Sequence, residues 1–384
     1  MRQTARIISV YTADVSGVAS ALFELGGMVV MHDASGCNST YNTHDEPRWY
    51  DSDSLVFISA LTEMDAMMGC DDKLVRDVTE AARELHPRFV AIAGTPIPMM
   101  TGTDLEAAAL RVERDTGIPS FGLNTNSMHS YLSGASLAFA AIARRFCDGR
   151  AEREKGSGLV NVLGMTPLDF SVNGSDGSIR AWLRENGFAV NSVWAMGGTL
   201  DEIALSGRAD VNLVVSYDGL AAARYLKQRF GTPFVAGVPV GREFSRRLAG
   251  ELARAAGTGA DSAACTLRGD APPKTAVIGE SIYSGSLAAA LWLQEGESAR
   301  VVCPLETERG LLSPSDAEAM DEDDLIPALA RCSSVIADPM YAPVCPEGCS
   351  FRALASESFS GRIYRDGIPN LINKKIELER TDTK

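Results

Sequence analysis

Residues 210–237, DVNLVVSYDGLAAARYLKQRFGTPFVAG, set the architecture. The run 210–216 is β-branched and apolar with little polar alternation, which suits a strand buried on both faces. Residues 219–230 carry apolar side chains at helical spacing, and Gly231 with Pro233 stops that helix before a second short apolar run at 233–237. Strand, helix and strand in this order form a βαβ unit, whose two strands lie parallel.

The same alternation continues on either side. Upstream, LVNVLG (159–164) and FAVNSVWA (188–195) read as strands around a helix at 178–186, and a helix at 242–256 follows the quoted unit. Earlier in the chain, strands are expected at 28–32, 55–59, 89–93 and 118–123, with helices at 71–85, 104–116 and 131–146. That block closes at the polar stretch CDGRAEREKGSG (147–158). The Gly-, Ala- and Pro-rich stretch 257–273 reads as a linker. Beyond it come a strand in KTAVIG, a helix at 286–294, the strand ARVVCP, an acidic helix at 316–330 and the strand SSVIADP. The pattern predicts three α/β domains with mostly parallel sheets, at 1–155, 156–270 and 271–384, the last with a C-terminal tail.

Composition narrows the function classes. With 384 residues, 45% of them apolar, the chain can bury the cores of two or three domains. Fifty acidic against 36 basic residues leave a net charge of −14, which argues against nucleic acid or an anionic membrane surface as partner. The apolar run VASALF (18–23) is closely flanked by Asp14 and Glu24, so neither a signal peptide nor an anchor is expected, and the expected location is the cytoplasm. No G-x-G-x-x-G after a strand, no phosphate loop, no G-x-S-x-G and no H-E-x-x-H occurs, and four His leave little for a zinc site.

Two loops carry the candidate chemistry. In MVVMHDASGCNSTYNTHDEPRWY (28–50) an expected strand ends at His32 and Cys37 directly follows Gly36. In LTEMDAMMGCDDKL (61–74) Cys70 directly follows Gly69 at an expected helix start, where backbone N–H groups and the helix dipole favour a thiolate. A glycine before each cysteine lets the backbone approach a bulky group that a side chain would strike. Both cysteines fall at strand-to-helix junctions, the edge where open α/β sheets hold ligands. An iron–sulfur cluster normally takes four thiolates, which a two-fold pair of chains would supply from Cys37 and Cys70. By spacing alone, two small buried thiols beside turn glycines is the plainer reading, since no C-x-x-C is near.

Met67 and Met68 could wall such a site, and His32, Asp33 and His44 lie close to it in sequence. Cys345 and Cys349 form a C-x-x-x-C pair with no second pair of ligands, and read as incidental loop thiols. Cys147, Cys265, Cys303 and Cys332 are isolated, Cys303 reading as core, and the acidic run 321–324 reads as a solvated helix start. No residue is assignable as catalytic.

Four collinear segments, MHDASGCNSTYN (31–42), SALTEMDAMMGCDDKL (59–74), residues 197–241 and SFSGRIYRDGIPNLI (358–372), together resemble the nitrogenase component 1 type oxidoreductases. That family includes nitrogenase subunits, cofactor-assembly scaffolds, protochlorophyllide and chlorophyllide reductases and a nickel-tetrapyrrole reductive cyclase. The resemblance implies three Rossmann-like domains and a [4Fe-4S] cluster shared between two subunits, either identical chains or a paralogous pair. It also implies a separate ATP-dependent [4Fe-4S] reductase, like the nitrogenase Fe protein, as electron donor. On that reading Cys37 and Cys70 are metal ligands, and Gly36 and Gly69 line the cofactor. The substrate is organic, tetrapyrrole-like or a further metallocofactor. The alternatives are a non-catalytic scaffold or carrier for metallocofactor assembly, and a metal-free binding module that keeps the fold.

Departures from the family pattern sharpen this. Of the three cysteines in the family's cluster loops, Cys37 matches the first, while Val56 and Pro96 stand at the positions aligned with the others. Cys70 stands where a Gly-Gly turn usually completes. A single [4Fe-4S] is therefore implied rather than the larger nitrogenase cluster. The cofactor-holding Cys and His of the catalytic subunit align with Ser216 and Ala355, so dinitrogen reduction is not expected.

Overall fold

The computed structural model describes residues 5–36, 38, 45–69, 71–147, 156–378 and 380–382. Three α/β sheets result, each drawn from one contiguous stretch of chain. The first stretch runs α1 (Asp14–Leu22), β1 (Met28–Met31), β2 (Leu55–Ile58), α2 (Glu63–Met68), α3 (Asp71–Leu85), β3 (Val90–Ala93), α4 (Pro96–Thr101), α5 (Leu105–Thr116), β4 (Ser120–Leu123) and α6 (Tyr131–Phe146). Its strands pair in parallel in the order β2-β1-β3-β4. MVVM in β1 and VAIA in β3 are buried at every position because helices cover both faces of the sheet.

The second stretch runs β5 (Leu159–Met165), α7 (Pro167–Phe170), α8 (Ser175–Glu185), β6 (Ala189–Ala195), α9 (Leu200–Ala204), β7 (Val211–Val214), α10 (Leu220–Phe230), β8 (Phe234–Ala236), α11 (Arg242–Thr258) and β9 (Ser262–Ala263). Its order is β6-β5-β7-β8-β9, parallel throughout, as the quoted βαβ unit predicts for β7, α10 and β8. The third runs β10 (Thr275–Ile278), α12 (Ser281–Glu295), β11 (Ala299–Cys303), β12 (Ala317–Glu318), α13 (Glu322–Leu329), β13 (Ser334–Ala337), β14 (Ser350–Ala353), α14 (Glu357–Ser360) and β15 (Arg380–Asp382). Its order is β12-β11-β10-β13-β14-β15, and only the β14–β15 pairing is antiparallel.

Two expectations need correction. The stretch 257–273 is no free linker: α11 continues to Thr258, β9 extends the second sheet, and Cys265 is fully buried against α12. The acidic helix expected at 316–330 begins only at Glu322, because β12 takes 317–318 and Asp316 is drawn into a buried ion pair with Arg268 at 2.7 Å. Asp321 caps that helix through Asp324 N–H, but Glu322 is buried against Arg6 rather than solvated.

The run VASALF closes α1, with Phe23 as its C-cap, and α1 is buried along its whole length. It packs against α6 at van der Waals closeness, which glycines permit: a Cβ on Gly17 would lie 1.9 Å from the Tyr131 carbonyl oxygen, and one on Gly134 would lie 1.7 Å from that of Asp14. No helix among the described residues is long and apolar enough to cross a membrane.

One consequence of strand order positions the sites. In each sheet the chain reverses its direction of travel across the sheet once, between β1 and β3, between β5 and β7, and between β10 and β13. At such a reversal the loops leaving the carboxyl ends of the two strands diverge and leave a crevice.

Candidate functional site

At the first reversal, the loops after β1, β2 and β3 are stitched together. His32 N–H donates to Ala93 O (2.8 Å), and Thr95 Oγ1 donates to His32 O (2.9 Å). His32 Nδ1 and Ser59 Oγ share a 2.8 Å hydrogen bond, Asp33 N–H donates to Ser59 Oγ (3.1 Å), and Leu61 N–H donates to Asp33 O (2.8 Å). The Asp33 carboxylate accepts from Ala34 N–H (2.8 Å) and Asn38 Nδ2 (2.6 Å). Burial lowers the His32 pKa below the ordinary histidine value, although Asp71, Asp33 and Asp65 oppose this.

The loop after β2 continues into α2 through a capping box: Thr62 Oγ1 accepts from Asp65 N–H, while the Asp65 carboxylate accepts from Thr62 N–H. Hydrogen bonds from Lys73 Nζ at 2.6 Å and from Thr62 pull Asp65 down to about 2. The helix ends at Gly69 with φ +80°, a conformation that favours glycine.

Both glycines expected to line a cofactor are therefore on this edge. Among the described residues, a Cβ added to either would meet no atom within 4 Å. Cys37 and Cys70, expected as ligands, lie outside the described residues, as does His44. On the two touching helices α2, which Gly69 ends, and α4, Met64, Met67, Met68, Met99 and Met100 are exposed, Met100 at 81%. A cavity of about 180 Å³ opens beneath the loops, with His32, Phe57, Ser59, Asp65 and Lys73 among its lining. Val56 sits inside β2 with its side chain in the core, whereas Pro96 opens α4 on the candidate edge.

The second and third reversals face one another. Asp169 follows β5, Ser216 and Asp218 follow β7, and Glu280 follows β10 and caps α12. Glu280 accepts from Ile282 N–H (2.9 Å) and Tyr283 N–H (2.7 Å) and, across to the second sheet, from Tyr217 N–H (3.1 Å). Tyr131 of α6 donates its hydroxyl to Asp169. A cavity of about 40 Å³ lies here, walled by Asp169, Phe170, Glu280, Tyr283, Ala355 and Phe359. Ala355, aligned with the family's cofactor histidine, thus faces a cavity, while Ser216 is fully buried and outside its wall.

Cys345 and Cys349 donate to the carbonyls of Tyr341 (3.5 Å) and Ser350 (3.7 Å), and burial pushes the Cys345 thiol up to about 12. Cys303 is in the core of β11, as expected, with its thiol raised by burial. Among the described residues no three His, Cys, Asp or Glu side chains are arranged to hold a metal ion.

The carboxyls of the second site escaped sequence reading because they are far apart in the chain. A signal was present: each acid comes within a few residues of the end of a β-branched run, in TPLD, SYD and GES.

Comparison with known proteins agrees with the fold. Residues 14–280 match the family model for the nitrogenase component 1 type oxidoreductases. One chain of the light-independent protochlorophyllide reductase of Prosthecochloris aestuarii is 26% identical over 190 residues, covering 48% of this chain and 34% of that protein. Nitrogenase iron-molybdenum cofactor biosynthesis protein NifE of Klebsiella pneumoniae is 28% identical over 198 residues, covering 48% and 42%. The aligned part spans between a third and a half of the length of these curated relatives. The solved structure of nitrogenase Cp1 at pH 6.5 superposes with a TM-score of 0.67 over 97% of this chain and 92% of that one, at 14% identity, a likeness of fold alone.

Proposed function

Since the chain belongs to the nitrogenase component 1 type oxidoreductase family, we propose that it is the substrate-reducing component of a nitrogenase-like reductase working in the cytoplasm. Cys37 and Cys70 of each of two chains hold one [4Fe-4S] cluster between them, with Gly36 and Gly69 against it. The partner is a second copy of this chain or a paralogue, and the electron donor is an ATP-dependent [4Fe-4S] reductase. The substrate class is organic, tetrapyrrole-like or a metallocofactor, and dinitrogen is excluded from the reading because Ser216 and Ala355 offer neither thiolate nor imidazole.

What carries this reading is the shared edge: both Gly-Cys loops leave the carboxyl ends of adjacent strands, β1 and β2, and hydrogen bonds of Asp33 and Ser59 tie them. The fit to a cluster rests on two further features. Among the described residues, nothing lies within 4 Å of a Cβ on Gly36 or Gly69, and the adjoining helices α2 and α4 carry five exposed methionines, an apolar face that a second subunit would bury. When bound, the cluster supplies one-electron transfer. The chain's own residues fix the loops, exclude water with the methionine side chains and, through Asp33 and the capped α2, hold the two glycines in place.

Cys37→Ala and Cys70→Ala should each abolish the thiolate-to-iron absorption together with ATP-dependent reduction. Intact absorption in both single variants contradicts the assignment. The similarity to a cofactor biosynthesis protein supports a second reading, a scaffold on which a metallocofactor is assembled. Intact transfer of a bound cofactor to a partner, with no turnover under reductant and ATP, would favour it.

A further inference from the structure

Reduction of an unsaturated substrate consumes a proton with each electron, and at the first-sheet edge the Asp33 carboxylate is taken up by Ala34 and Asn38. The facing edges of the second and third sheets differ. Asp169, Asp218 and Glu280 gather there from three strand ends, and no Lys, Arg or His pairs with any of them among the described residues.

Two observations go beyond a group of acids. Asp218 is fully buried, and no donor meets its carboxylate oxygens in good hydrogen-bond geometry: the Ser216 hydroxyl and the Gly219 N–H are close enough to favour its ionised form somewhat, but neither is well aligned, and Ser216 Oγ and Asp169 Oδ2 likewise have no well-aligned partner. Asp169 and Glu280, by contrast, line the cavity of about 40 Å³, which has room for water. An ionised carboxylate with no well-aligned donor and no countercharge costs several kcal/mol in such surroundings. Protonation converts it from an acceptor into a donor, which the unsatisfied Ser216 Oγ and Asp169 Oδ2 can accept.

We propose that Asp169, Asp218 and Glu280 form a proton store that delivers into the cavity between the second and third sheets. This rests on the reductase reading above for its purpose, though not for its chemistry. For a two-electron reduction of a double bond, two electrons come from the iron–sulfur reductase and two protons from carboxylic acids of the store. Each donor is left as a carboxylate and regains a proton from bulk solvent, relayed through cavity water. Asp169 and Glu280 face the cavity and give the protons. Asp218 acts through Ser216 and is a positioning and replenishing residue.

Among the described residues, the titratable groups that face the trio are neutral or acidic. Tyr131 comes from α6, Tyr217 from the turn after β7, Tyr283 from α12, Cys303 from β11 and Cys265 from the segment after β9, and burial raises the pKa of each. Arg268 acts on Cys265 but forms its ion pair with Asp316. Burial pushes Asp169 up to about 6; burial and then Asp169 push Glu280 up to about 7. Burial, then Asp169 and Glu280, raise Asp218 well above the carboxylate range.

Infrared spectroscopy of the full chain over a pH series tests this without a substrate. The expected result is a carboxylic acid C=O band at neutral pH that shifts in D2O under native conditions and fades as pH rises. Asp218→Asn and Glu280→Gln should each remove the amplitude of one carboxyl; if Asp218→Asn fails to fold, Glu280→Gln, whose amide oxygen can still cap α12, decides. The proposal is overturned by the absence of that band, by its insensitivity to the substitutions, or by its failure to shift in D2O, which would mean a sealed cluster that delivers nothing. The band should persist in Cys37→Ala protein without iron, so a failure of the cluster reading and a failure of this one give different spectra.

Discussion

At the first sheet's reversal, Gly36 and Gly69 have no described neighbour where a side chain would go, and apolar side chains point into solvent; at the second, a glycine is packed against a buried carboxyl, and at the third Gly279 is packed against the Ser284 hydroxyl. Gly164 shows the contrast best, since its φ is +83° and a Cβ there would lie 2.4 Å from Asp218 Oδ1. The same topological device thus makes an edge left open for something the single chain does not supply, and an edge closed around its own acids. On the proposed reading, the first takes a partner chain to complete it, and the second only protons.

Substitutions that probe this contrast have graded expected effects. Gly164→Ala combines a left-handed backbone with a clash against Asp218, and should lower stability by about 3 kcal/mol, read by denaturant unfolding. A loss no greater than that at Gly69 would mean that the carboxyl site is looser than its geometry.

The pH dependence of stability comes next. Glu280 rises from 4.5 to about 7 on folding, so the native state binds more protons than the unfolded chain. Its contribution is fully present below pH 4.5 and is lost as pH climbs toward about 7. Melting temperature should therefore fall over that interval, and less steeply in Glu280→Gln. Equal slopes in the two proteins would remove Glu280 from the store.

Gly69→Ala meets the φ of +80° but no neighbour, and should cost about 1–2 kcal/mol. Gly36→Ala has open space and should change stability by less than about 0.5 kcal/mol, so any loss of bound iron in that variant reports the cofactor and not the fold. Smallest of all, Arg111→Ala breaks an exposed pair with Asp72 and should fall within about 0.5 kcal/mol by the same measurement.

Much of this fold is legible in the sequence, and the exceptions have physical causes. β-branched runs and amphipathic helices announce themselves by period, as residues 71–85 and 131–146 show, each matching its helix end to end. α1 is hidden because burial on every side removes the polar face that periodicity needs. α2 and α4 are too short for a period, and β9 and β12, of two residues each, are made by pairing rather than by composition. At the sites, Gly36 and Gly69 are legible because glycine beside cysteine at a strand end is unusual. Asp169, Asp218 and Glu280 are ordinary acids in sequence and become a group only when two sheets face each other.

The shared cluster is tested most directly by purifying the chain without oxygen and measuring iron, acid-labile sulfide and solution mass together. A dimer with about two irons and two sulfides per chain is the predicted result, one four-iron cluster for each pair of chains. Protein that stays free of iron after reconstitution would contradict it, leaving Cys37 and Cys70 as structural thiols and the open edge without a cofactor.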